Sequence, residues 1–203
     1  MSDTTLGISL EDLRPTQMTI GYREVEIKRH EWRDADEEGK IRLLRSHIVP
    51  AVLGPKGHHY IVDHHHFASA LLHEKAPCVG VYVLADLSDL AKSEFWTFLD
   101  NSAWCHAYDD KGERRKLTDI PKSLSALADD PYRSLVGELI RAGGCAKTDK
   151  PFFEFLWADF LRRRIKRSRV DADFAGALEA ALKLARSDAA RSLPGWCPSE
   201  PES

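Results

Sequence analysis

Five histidines fall within nine residues: His58, His59, His64, His65 and His66. The first two adjoin Gly54-Pro55-Lys56-Gly57, a turn by composition. The other three follow Tyr60-Ile61-Val62-Asp63 and precede the apolar run Phe67-Ala68-Ser69-Ala70-Leu71-Leu72, the pattern of a strand end leading into a helix start. Such a turn aims backbone N–H groups and the positive end of a helix at one point, which suits a phosphate. Imidazoles there can donate hydrogen bonds to phosphate oxygens or carry protons near neutral pH. Two other chemistries fit the same residues. Asp63 can cap the helix while the rings of His64, His65 and His66 stay partly solvated. Alternatively, Asp63 and the histidines can ligate a metal, although adjacent residues rarely converge on one ion and no i, i+4 His pair is present.

Further candidates lie elsewhere in the chain. Asp86 follows the apolar run Cys78–Leu84, at the edge where open sheets bind ligands. It is expected either to hold a metal ion on a phosphate or to cap the next helix. In Gly143-Gly144-Cys145-Ala146-Lys147-Thr148 an alanine precedes the lysine where a phosphate loop needs glycine, so the Walker reading fails. Lys147 and Thr148 remain expected anion contacts. His106, Tyr108 and Asp109 occupy a long loop that is expected to line the same cleft. Arg162, Arg163, Arg164, Lys166, Arg167 and Arg169 form a basic helix end. Such cations ordinarily complement a helix C-terminus; the competing reading is a nucleic-acid backbone patch, which is not favoured because aromatic residues do not interleave with them.

Positioning these groups requires strands first and helices afterwards. Short strands are expected at Gln17–Ile20, Val49–Leu53 and His59–Val62, and a longer one at Cys78–Leu84, apolar enough to be covered on both faces. Helices are expected over Asp34–His47, from the histidines to about Glu74, and over Leu90–Leu99, Pro131–Ala142, Phe152–Arg167 and Asp171–Ser192. The fold class is α+β: a small mixed α/β lobe, residues 1–87, then an appended all-helical part, 88–192, and a flexible tail, 193–203. With 29 Lys+Arg against 32 Asp+Glu, the whole-chain charge gives no argument for nucleic-acid binding. No apolar run reaches membrane-spanning length, no signal peptide is apparent, and the four cysteines lack CxxC spacing, so a cytoplasmic protein is expected.

Read together, the G-P-x-G turn, the strand end Tyr60-Ile61-Val62-Asp63-His64-His65-His66 and the helix after it resemble the ParB/sulfiredoxin superfamily. Glu94-Phe95-Trp96, Asp130-Pro131-Tyr132-Arg133-Ser134-Leu135, Ala146-Lys147-Thr148 and Phe155-Leu156-Trp157-Ala158-Asp159-Phe160 resemble its ParB-like nuclease family, so that the likeness spans about residues 12–192. It implies a ParB/sulfiredoxin-like lobe that holds a nucleotide or phosphate at the strand–loop–helix element. The free-serine kinases of the superfamily carry D-G-H-H-R at this turn. Asp63, His65 and His66 match, while His64 replaces the glycine and Phe67 the arginine, which removes a bidentate phosphate ligand. Sulfiredoxin's cysteine has no counterpart. Gly112-Glu113-Arg114-Arg115 spells the partition proteins' motif away from the turn, after an acidic loop. Glu24 falls where the kinases carry a glutamate, with Glu26 an equal rival in spelling.

These readings combine into one expected site. Glu24, Asp63 and His65 would be catalytic; His64, His65, His66, Lys147 and Thr148 would bind phosphate; Asp86, His106, Tyr108 and Arg133 would line the substrate cleft; and Asp63 and Asp86 would hold Mg²⁺ with a nucleoside phosphate. The expected activity is phosphoryl transfer or nucleotide hydrolysis on a nucleotide or small phosphorylated molecule. The alternatives are a ParB-like nuclease and a non-enzymatic nucleotide- or DNA-binding regulator.

Overall fold

The computed structural model describes residues 6–197, which divide into two units between Asp129 and Asp130. In chain order the first unit contains β1 (Leu6–Ile8), β2 (Leu13–Pro15), β3 (Thr19–Ile20), α1 (Tyr22–Asp34), α2 (Glu37–Ser46), β4 (Val49–Gly54), β5 (His58–Ile61), α3 (His65–His73), β6 (Val79–Asp86), α4 (Lys92–Asn101) and β7 (Ala128–Asp129). Five strands make a mixed sheet in the order β1-β6-β4-β5-β2. Strand β6 is parallel to β4, whereas β5 is antiparallel to β4 and parallel to β2. Pro15, which has no N–H, sits on the edge strand β2, where the ladder tolerates its loss. Of the expected strand Gln17–Ile20, Thr19 and Ile20 pair with β7 and Gln17 bridges to His106, all outside the main sheet.

Side-chain alternation sets the two faces of the sheet. Val49, Ala51, Ile61, Val79 and Val81 are buried with Phe67, Ala68, Ala70 and Leu71 of α3. On the other face Val52 and Tyr60 meet Phe95, Trp96 and Leu99 of α4. Gly54 is obligatory there, because a Cβ would lie 2.6 Å from Tyr60 and 2.8 Å from Phe95. The apolar side of α4 joins this sheet face, so the first unit continues past residue 87 to Asp129. Strand β6 is not covered on both faces, since Tyr82 and Leu84 remain 40% and 39% exposed.

Helix α1 lies along α3, and one carboxylate ties their ends. Glu74, at the C-terminus of α3, accepts from Arg29 Nε and Arg33 Nη2, both at 2.7 Å. Donation from Arg33, opposed by burial and joined by Arg29, brings the Glu74 carboxyl from 4.5 down to about 2. A depressed carboxyl contributes stability above its unfolded value and loses it as pH falls through the folded one. Wild-type stability should therefore drop between about pH 4.5 and 2. The drop should exceed that of Glu74→Gln by about 1 kcal/mol, the scale of a partly exposed ion pair. Urea unfolding across that range measures it, and equal acid limbs would refute the clamp.

The second unit contains α5 (Pro131–Arg141), α6 (Phe153–Arg162), α7 (Arg167–Ala172) and α8 (Phe174–Ala185). Pro131 opens α5, and Gly143 follows it at φ +70°, as the sequence predicts. The two expected helices over 152–167 and 171–192 are instead three. Buried Ile165 and Val170 turn into the core, and the Ile165 carbonyl accepts from Tyr132 Oη at 2.6 Å, which takes the chain off the axis of α6. Asp173 then starts α8 by accepting from Gly176 N at 2.9 Å. The core joins Leu135, Leu139, Trp157 and Leu161 to Ala177, Ala181 and Ala185, whose i, i+4 spacing presents one small-residue stripe. Leu193 and Trp196 pack on it, and Trp157 Nε1 donates to Pro194 O at 2.8 Å. Residues 193–197 are thus not a free tail; 198–203 lie outside the described residues. Among the described residues no helix is long and apolar enough to cross a membrane.

Candidate functional site

Strand β5 ends at Ile61 and α3 starts at His65, so Val62-Asp63-His64 form the connecting turn, with the helix starting at the histidines as the sequence predicts. His64 is the N-cap residue and adopts the left-handed conformation at φ +61° and ψ +25°. This is the position of glycine in the D-G-H-H-R pattern, and it explains why glycine suits it. Asp63 does not cap the helix. Its Oδ1 accepts from the N–H of His64 at 2.6 Å.

The next two histidines face inward. His65 is 4% exposed, and its Nε2 accepts from Thr16 N at 3.3 Å. The Thr16 hydroxyl in turn donates to Ile61 O at 2.8 Å. His66 Nε2 accepts from Gly21 N at 3.0 Å. A ring nitrogen that accepts carries no proton, so these atoms hold the chain between β2 and α1 against the start of α3. The Nε2 atoms of His65 and His66 thus face Thr16 and Gly21 and not a phosphate, which gives both histidines a positioning role. Replacing His65 with Ala should cost about 2–3 kcal/mol, from the cavity and the orphaned Thr16 N–H. His65→Gln, which keeps an acceptor, should recover part of that loss in urea unfolding. An unchanged midpoint for His65→Ala would overturn the assignment.

The His66–Gly21 bond brings the first turn of α1, which carries Glu24, beside the start of α3. Asp129 Oδ1 caps α1 by accepting from Tyr22 N at 2.8 Å, and the His47 ring packs beside the start of α3, 5.6 Å from His64 and stacked on Phe67 at 4.5 Å. Glu26, the rival of Glu24, accepts from Arg29 at 2.7 Å and lies 3.5 Å from Arg33, inside the clamp between α1 and α3. His106 joins from the other side of Thr16, donating its backbone N–H to Thr16 O at 2.8 Å, and its ring stacks on Tyr108 at 4.5 Å. Asp109 organises that loop by accepting from Lys111 N, Glu113 N and Arg115 Nε. Burial pulls its carboxyl up, but the Glu113 N–H and Arg115 hold it below the ordinary value.

Asp86 does not join this group. Because β5 runs antiparallel and β6 parallel to β4, their C-terminal ends lie at opposite ends of the sheet. Beyond β5, Val62 N bonds to Pro50 O, whereas Asp86 pairs with Leu53. Asp63 and Asp86 therefore cannot share the expected Mg²⁺. Asp86 Oδ1 instead accepts from both Ser88 N and Ser88 Oγ, which hold the carboxyl below its ordinary value. Among the described residues no group of three His, Cys, Asp or Glu is arranged to hold a metal ion.

The remaining expected residues belong to the second unit. Arg133 is 5% exposed, donates to Glu154 at 3.0 Å and lies 3.7 Å over the Phe155 ring, so it braces the helices and is not a cleft side chain. Lys147 is exposed, and Thr148 Oγ1 accepts from Lys150 N at 3.4 Å in a local turn. Much of the basic run is engaged locally. Arg162 pairs with Asp130 and Asp159, Arg163 and Arg164 donate to carbonyls of α6, Arg167 pairs with Asp171, and Arg169 donates to Gly176 O. Only Arg163 and Arg164 take the expected helix-end role, since Arg167 opens α7 and Arg169 reaches α8.

The family described as "Putative ParB-like nuclease" matches residues 6–163. Among solved structures, the crystal structure of protein Atu1540 from Agrobacterium tumefaciens is 47% identical, covers 97% of this chain and 100% of its own, and superposes with a TM-score of 0.90. No curated protein matches the sequence.

Proposed function

Because the chain belongs to the ParB-like nuclease family, we propose that it acts on nucleic acid, cleaving a phosphodiester held at the start of α3. The observation that supports this most is the bond between His66 Nε2 and Gly21 N, which sets the Glu24-bearing turn of α1 next to that helix start. In this reading the positive end of α3 attracts the phosphate, since a helix N-terminus favours negative charge. Glu24 takes a proton from water as its oxygen attacks phosphorus, and the bond to the leaving sugar oxygen breaks, that oxygen taking a proton from solvent. His65 and His66 touch neither reactant; they fix the distance between the two helix starts.

Small-molecule phosphoryl transfer uses the same phosphate geometry, so one assay separates the two. The protein is incubated with 5′-labelled single-stranded and duplex oligonucleotides, and separately with ATP and CTP, with Mg²⁺ and after chelation. Oligonucleotide cleavage is the expected result. Nucleoside triphosphate turnover with intact oligonucleotides would overturn the nuclease reading in favour of a phosphotransferase or nucleotide hydrolase.

A further inference from the structure

The N-terminal end of β5, opposite the histidine turn, borders a second feature of the first unit. A cleft of about 230 Å³ lies there, lined by Arg14, Lys56, His58, Lys92 and Lys122 with Tyr60, Trp96, Ile120 and Pro121 as its apolar wall. A wider groove of about 630 Å³ shares Lys92, Trp96 and Thr118 with the cleft and adds Lys116. Five cations and no carboxylate line the two, in a chain with 29 Lys+Arg against 32 Asp+Glu. The positive charge is thus concentrated locally and does not follow from composition.

Two donors at this cleft lack partners. Trp96 is 6% exposed, and its buried Nε1 bonds to nothing among the described residues. Arg14 Nε is likewise buried and unpaired. The Arg14 fork is held by His58, which lies 3.0 Å from Nη2. Burial, then Arg14 and Lys56, push the His58 imidazole below its ordinary value against the pull of Asp12, which fits a positive potential and a neutral ring. Both atoms are sealed from the cleft, so it is the concentration of cations lining it that makes an anion the matching ligand. An aromatic wall beside cations is the arrangement that holds a nucleotide by its phosphate and base. The closed part is small for a drug-sized ligand, about 300–1,000 Å³. The groove extends the cationic surface through Lys116, which a lone nucleotide in the cleft would leave unused.

We propose that this cleft and groove bind single-stranded nucleic acid, with one phosphate against Arg14 and Lys122, its base against the half-buried Tyr60, and the strand continuing past Lys92 and Lys116. The proposal rests on the nucleic-acid reading above and adds the surface that holds the strand. The four residues of β5 span about 13 Å, so a short oligonucleotide can reach both ends.

The test is fluorescence anisotropy with labelled oligo(dT), a duplex of equal length and AMP as competitor, across a salt series. Lys92, Lys116 and Lys122 are exposed, so replacing all three with Gln should leave the thermal midpoint unchanged. Each neutralised phosphate of a single strand adds about 0.7 to the log–log salt slope, so the triple variant should flatten the slope by about 2 and bind about tenfold or more weakly at low salt. Duplex should bind more weakly than oligo(dT). Wild type and variant binding oligo(dT) equally would overturn the groove and leave the nucleic-acid reading standing. Loss of AMP binding in the variant, with no oligo(dT) binding by wild type, would replace the strand with a free nucleotide. No binding of either by wild type would overturn both.

Discussion

A Glu24→Gln variant is expected to fold normally and to lose oligonucleotide cleavage by about 10²–10⁴-fold, the range of a general base. Gln is nearly isosteric and keeps a side chain at this half-buried place in the first turn of α1, but it cannot take the proton of the attacking water. Glu26→Gln is the control. Its carboxylate serves Arg29 and Arg33, so that variant should lose a little stability and keep its turnover. The diagnostic readout is the turnover number at saturating oligonucleotide, with binding measured separately. A Glu24→Gln enzyme that cleaves at the wild-type rate would end the assignment. One that fails to bind would make Glu24 a binding residue instead.

The largest loss of stability is expected at Asp130. This residue is 1% exposed, its Oδ1 caps α5 by accepting from Tyr132 N at 3.1 Å, and its Oδ2 accepts from Arg162 Nη2. Asp130→Ala removes the cap, worth about 1 kcal/mol. It also strands a guanidinium that is only 14% exposed. Breaking a buried pair costs about 3–5 kcal/mol. Asp159, which also pairs with Arg162, softens that loss. The expected total is about 3 kcal/mol in urea unfolding, with Asp130→Asn about 1 kcal/mol milder because asparagine still caps. The pH dependence carries its own sign. Burial, against the pull of Arg162 and Arg133, pushes the carboxyl from 3.8 up to about 6. A carboxyl raised by folding contributes stability below its unfolded value and loses it as pH rises through the folded one. Wild type should therefore lose stability relative to Asp130→Asn between pH 3.8 and about 6. Equal behaviour of the wild type, Ala and Asn proteins would exclude both the cap and the buried pair.

Local pattern alone determined much of this protein. The hairpin of β4 and β5, the strand β6, the helix that begins at the histidines and the Pro131–Gly143 limits of α5 all lie where turn residues and apolar spacing put them. Each depends on neighbours a few residues away, which the sequence displays directly. The motifs that resembled the ParB-like nuclease family reached the same answer as the match over residues 6–163. Helix α1 left a weaker trace, because charged residues occupy most of its turns and only Val25 is fully buried. The break between the helices expected over 152–167 and 171–192 was legible, but the early end of α6 at Arg162 and the separate α7 were not, since Ile165 O is held by Tyr132, 33 residues away in sequence.

The meaning of the site residues was decided by tertiary structure. His65 and His66 read as phosphate ligands because a helix start beside imidazoles suits an anion. Yet their Nε2 atoms are engaged by Thr16 and Gly21, 49 and 45 residues away. Spelling ranked Glu24 and Glu26 equally, and the packing of α1 on α3 is what places Glu26 against Arg29 and Arg33. Asp63 and Asp86 each follow a strand and looked like partners. Their separation follows from strand direction, which hydrophobic pattern does not encode: β5 returns against β4, while β6 re-enters parallel to it after a crossover. The cationic cleft assembles Arg14, Lys56, Lys92 and Lys122 from four elements, none of which is basic enough by itself to draw notice. Sequence fixes residue chemistry and local periodicity, but which groups meet is set by sheet order and strand direction, and those are properties of the packed chain.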